Sequence, residues 1–145
     1  MADLSKTRSG VRPGANMRLI EALQYRLPLA GVVSILHRVS GMLMFFLLPF
    51  IVWMFDASVT SEISYDIFTS AFGAGIGVMP GFVVKLVVLA LIWAYLHHAV
   101  AGIRHLWMDA THSVTKAQGS SSAVATFAIS IVLTIALGAK LFGLF

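Results

Sequence analysis

The chain has 145 residues, of which 59% are hydrophobic and only 11% charged, and its mean hydropathy is +0.91. A water-facing globule carries about 25% charged residues, so an ordinary soluble domain is excluded. The absence of cysteine excludes disulfides, iron–sulfur ligation and thiolate sites within this chain. The net charge of +4 gathers towards the N-terminus, which argues against a nucleic-acid surface.

Residues 1–26 form a polar arm bearing Lys6, Arg8, Arg12, Arg18 and Arg26. It has no apolar h-region, so no cleavable signal peptide is expected. Residues 17–25 (MRLIEALQY) carry helical periodicity and predict a short interfacial helix. Three apolar stretches follow, at 27–55, 80–108 and 123–145, each longer than the roughly 20 residues that cross a bilayer as a helix. The fold class predicted is an all-α integral membrane protein, three transmembrane helices in one bundle behind a cytoplasmic arm, with 1–145 as a single membrane-anchor domain. Pro28 and Pro80 suit the first turns of the first two spans. The segment 56–79 reads as a loop, Gly-rich at AFGAGIGVMP, and Ser122 is placed to cap the third span. Arg38, Lys85, Arg104 and Lys140 lie near span ends, where long side chains snorkel. The arm is rich in Lys and Arg and the 56–79 loop has neither. The positive-inside rule therefore puts the N-terminus in the cytoplasm and the C-terminus in the periplasm of a bacterial-type inner membrane.

Two polar constellations interrupt the apolar spans. In the second span His98, Gly102, His105 and Asp109 fall on one helical face at about 100° per residue. Ionisable groups at membrane depth are costly and usually face a bundle interior, a cofactor or a pathway. His98 lies about 12 Å from the cytoplasmic end at 1.5 Å per residue. Haem needs one or two axial imidazoles, whereas zinc wants about four clustered ligands and finds no HExxH or cysteine here. The competing reading is a packing histidine bonded to a neighbouring helix. His97 points about 100° away, towards a neighbouring helix or headgroups. Arg104 and His105 lie near the interface, suited to anionic propionates, although Arg104 equally suits a helix-end anchor. Asp109 is a partner for Arg104, Arg38 or a basic group of another subunit.

In the first span Ser34, His37 and Arg38, at i, i+3 and i+4, share a face. A hydroxyl, an imidazole and a guanidinium in an apolar wall offer donors to a quinone head. The small residues Ser34, Ser40 and Gly41 also suit plain helix–helix contact. His37 and His98 fit similar depths on antiparallel helices, so an intrachain bis-histidine haem stays open at this point.

Together the segments RLPLAGVVSILHRVSG and HAVAGIRHLWMD resemble the cytochrome b membrane-anchor subunits of succinate dehydrogenase (succinate:quinone oxidoreductase, Complex II). The resemblance covers nearly the whole chain. It implies haem b with His98 as an axial ligand of the iron, and a second axial ligand from a smaller partner anchor subunit. It implies His37, Arg38 and His105 beside the haem propionates, and a ubiquinone site formed by Ser34, Arg38, Ile35 and Asp109. It further implies a flavoprotein subunit that oxidises succinate and an iron–sulfur subunit that passes electrons to the membrane. The rival readings are a quinol:fumarate reductase anchor, a haem-free structural anchor, and a transporter subunit with a His/Asp relay.

Overall fold

The computed structural model describes residues 27–112 and 115–144. The arm, with the interfacial helix expected at 17–25, lies outside the described residues. Helix α1, Leu29–Phe46, starts behind Pro28, whose carbonyl accepts the N–H groups of Gly31 and Val32. The stretch expected as one span at 27–55 is two helices. α2, Leu48–Val59, begins after a break at Leu47 (φ −90°, ψ 5°). Pro49 accounts for the break: it has no N–H for the carbonyl four residues back, and its ring crowds that carbonyl. The 18 residues of α1 span about 27 Å, most of a bilayer core of about 30 Å.

The segment read as a loop contains a further helix, α3, Glu62–Ala71. Ser61 accepts the Ser64 N–H and Ser64 Oγ accepts the Ser61 N–H, a reciprocal cap. After α3 the chain turns tightly through Gly75 at φ 100°. A side chain there would run into the Met79 carbonyl, so only glycine fits. Pro80 then precedes α4, Gly81–Thr111, whose 31 residues reach about 46 Å, well beyond the bilayer core. His112 ends it in the left-handed region at φ 51°.

α5 runs Lys116–Leu141, starting two turns before the expected start at residue 123. Its cap is Thr115, whose side chain accepts the Gln118 N–H while Gln118 accepts the Thr115 N–H. Ser122 lies inside the helix and does not cap it.

α4 is the central element. It packs along α1 and α5, which also touch each other, while α3 lies against α2 and the start of α4. The bundle closes on small side chains: Val33, Ala101 and Ala123 are buried together, backed by Ala30 and Phe127. Without a hydrophobic driving force in lipid, such close backbone approach is what joins helices. Large apolar side chains instead face outward: Phe45, Phe46, Ile103, Leu106 and Trp107 are all exposed. Among the described residues three helices, α1, α4 and α5, are long and apolar enough to cross a membrane.

Candidate functional site

The polar side chains of α1 and α4 meet in one seam. His98 on α4 places Nδ1 2.9 Å from the backbone carbonyl oxygen of His37 on α1. A carbonyl only accepts, so Nδ1 carries the proton and Nε2 keeps its lone pair. Ser40, fully buried one turn along α1, donates its hydroxyl to the same carbonyl at 2.8 Å and lies 3.3 Å from His98 Nδ1. Gly41 makes room for the ring: a Cβ at this position would stand 3.0 Å from His98 Cε1.

Three imidazoles run along this seam. His37 stacks on His98 with centroids 4.0 Å apart and planes 17° from parallel, and His105 tilts against His37 at 5.2 Å. Gly102 sits opposite His37, where a Cβ would make ordinary contact with Nε2 at 3.6 Å. The intrachain bis-histidine arrangement does not match this geometry. An imidazole's ligand lone pair lies in the ring plane, so stacked rings point theirs side by side rather than at a shared iron. Among the described residues no group of three His, Cys, Asp or Glu side chains could hold a metal ion.

The adjacent His97 has a different environment. It is 0% exposed and faces α5, with Nδ1 3.4 Å from Ser130 Oγ. Its ring lies between Trp93, stacked at 5.5 Å, and Phe127 at 5.6 Å. Ser130 donates to the Phe127 carbonyl, and His97 Nε2 is buried beside the Val33 backbone of α1 without reaching a well-formed hydrogen bond. One step along α4 thus separates a half-buried histidine on the α1 seam from an enclosed one on the α5 seam.

Arg104 also turns towards α5. It is 8% exposed, donates Nε to Ser122 Oγ at 2.9 Å and Nη2 to the Gly119 carbonyl at 3.2 Å, and so ties α4 to the first turns of α5. These contacts differ from the snorkelling helix-end anchor expected from sequence: the guanidinium is buried against α5, because Ser122 and Gly119 take its donors in place of headgroups. Asp109 is exposed near the end of α4. Arg104 spends its bonds on Ser122 and Gly119 rather than on Asp109. Ser34 is half-buried, while Ile35 and Arg38 are exposed on the same turn of α1. The described contacts do not bring Asp109 to them.

Sequence reading assigned no chemistry to the third span, yet α5 supplies Gly119, Ser122 and Ser130 to the buried ionisable groups of α4. Ser122 and Ser130 fall eight residues apart, on one helical face, and that spacing is the signal that could have found them. Also unforeseen is an apolar cavity of about 470 Å³ lined by Met44, Phe50, Met54, Phe72, Leu91 and Tyr95 among others. It opens beyond the histidine seam towards α3 and includes none of the seam's polar residues.

Residues 18–137 match the family described as succinate dehydrogenase/fumarate reductase transmembrane subunit. The chain is 30% identical over 135 residues to the succinate dehydrogenase cytochrome b556 subunit of Paracoccus denitrificans, covering 93% of each chain. It is 28% identical over 120 residues to the subunit of that name from Coxiella burnetii, covering 82% of this chain and 90% of the relative. A third, from Rickettsia felis, is 26% identical over 113 residues, covering 78% and 82%.

Proposed function

The chain belongs to the succinate dehydrogenase/fumarate reductase transmembrane subunit family, and from that premise we propose that it is the haem b-binding anchor of a succinate:quinone oxidoreductase. The observation that carries the reading is His98. Its Nδ1–H is tied to an α1 carbonyl, which leaves Nε2 as a lone pair on a half-buried ring at membrane depth. A metal-bound histidine characteristically donates its other N–H to a carbonyl or carboxylate in this way. The relatives' name, cytochrome b556, points to the same cofactor. Haem bound there supplies one-electron storage inside the hydrocarbon layer.

The other residues fit roles around it. His37 and His105 follow His98 along the seam, and Arg38 is exposed on the same stretch of α1. Together they offer donors and positive charge for propionates. Ser34 and Arg38 make no hydrogen bond within the described chain, so both keep donors for quinone carbonyl oxygens. Ile35 contributes apolar wall, and Asp109, exposed near the end of α4, hands on protons from water. The chain has no cysteine for a cluster, so electrons arrive from an iron–sulfur subunit fed by a flavoprotein subunit. The second axial ligand comes from a smaller anchor subunit. The basic arm lies in the cytoplasm, where the positive-inside rule puts it, and the C-terminus lies in the periplasm. Relatives named for succinate dehydrogenase favour succinate oxidation over fumarate reduction, and ubiquinone is the acceptor we propose.

The test is His98→Ala in the assembled complex. Loss of the b-type haem, or a changed Soret band and midpoint potential, is the expected result. A variant with normal haem content, spectrum and potential would refute the ligand assignment.

A further inference from the structure

We propose that Ser40 is a positioning residue for His98, and that its hydroxyl sets how strongly that histidine donates to the haem iron. The inference rests on His98 being the axial ligand. Three atoms carry it. The His37 carbonyl oxygen lies 2.8 Å from Ser40 Oγ and 2.9 Å from His98 Nδ1, and Ser40 Oγ lies 3.3 Å from His98 Nδ1. Both the hydroxyl and Nδ1–H therefore donate into one carbonyl. Ser40 is 0% exposed, so water does not compete for these bonds.

The arrangement has two effects. It holds the proton on Nδ1 and the ring in one rotation, because the alternative tautomer would set a lone pair against the carbonyl. It also moderates the ligand. The hydroxyl draws on the carbonyl's electron density, so the carbonyl pulls less on Nδ1–H and the imidazole stays closer to neutral. Outer partners of a ligating histidine tune its basicity in this manner. Without the hydroxyl the carbonyl accepts from His98 alone, the Nδ1–H bond tightens, and the more basic ring favours ferric iron. Gly41 completes the fit, since a methyl group 3.0 Å from Cε1 would tilt the ring.

The experiment uses the purified complex with Ser40→Ala, Ser40→Thr and Gly41→Ala, read by haem content, redox titration and EPR of the ferric haem. Ser40→Ala is expected to keep its haem and lower the midpoint potential. A threefold shift in the preference of His98 for ferric over ferrous iron corresponds to about 28 mV, at about 59 mV per tenfold for one electron. Ser40→Thr keeps the hydroxyl and should titrate with the wild type. Gly41→Ala should alter the ferric g-values, because ring orientation sets them. An unshifted potential in haem-replete Ser40→Ala overturns the proposal. Should Ser40→Ala assemble without haem, retention in Ser40→Thr supports the hydroxyl's role and loss in both overturns it. His98→Ala with an unchanged haem spectrum would instead sink the ligand reading beneath it.

Discussion

Replacing His97 by leucine separates two adjacent histidines that differ in what they touch. His97 is enclosed, with a long contact to Ser130 at 3.4 Å and an Nε2 that reaches no well-formed hydrogen bond beside the Val33 backbone. Losing a side-chain hydrogen bond between membrane helices costs on average about 0.6 kcal/mol. Losing a ring stacked on Trp93 costs about 0.5–1.5 kcal/mol. Removing a buried nitrogen whose contact with the Val33 backbone falls short of a good hydrogen bond returns about 1 kcal/mol, the low end of the cost of an unsatisfied polar group. Leucine is close to histidine in volume, so the overpacking term is small. The balance is near zero, within about 1 kcal/mol, and a change of that size moves the melting of a chain of this length by roughly 2–4 °C. The assay is haem per complex by pyridine haemochrome, the reduced-minus-oxidised spectrum, and thermal inactivation of the detergent-purified complex. His97→Leu should keep its haem and spectrum with a small shift in melting, beside a haem-altered His98→Ala. Loss of haem from His97→Leu in a complex that still assembles would show that the assignment of the two rings is reversed.

Arg104→Leu removes two charge-assisted bonds between α4 and α5. At up to about 1.7 kcal/mol per bond in a membrane interior, it should lower the thermal stability of the complex while leaving the haem spectrum in place; a strongly altered spectrum would mean that Arg104 faces the cofactor. Ser34→Ala and Arg38→Ala should slow quinone reduction several-fold, with succinate oxidation by a soluble acceptor unchanged. Normal quinone kinetics in both variants would remove these residues from the pocket.

Much of the helical layout was legible because composition alone marks segments that must satisfy their own backbone in hydrocarbon. The break at Leu47 was written in Pro49, but an uninterrupted apolar run hid it. α3 was missed because Ser stands at the third helical position, where a Glu or Gln would have announced a capping box. The start of α5 was read too late because Gly119 and three serines look like a loop. A local signal stood there in Thr115 and Gln118, spaced as a capping box, and tertiary contacts from Arg104, which no local signal records, secure the same turns.

The chain's residue order was enough to say that His97 and His98 point in different directions, because successive side chains of a helix diverge by about 100°. It did not say which neighbour each would meet. That depended on how α1 and α5 settle against the two sides of α4, through small residues too general to name their partners. Packing alone decided that His98 meets a carbonyl and a serine hydroxyl while His97 is sealed behind Trp93 and Phe127. A hydrogen bond across a seam depends on the relative register of two helices, and register is a property of the assembled bundle rather than of either strand of sequence.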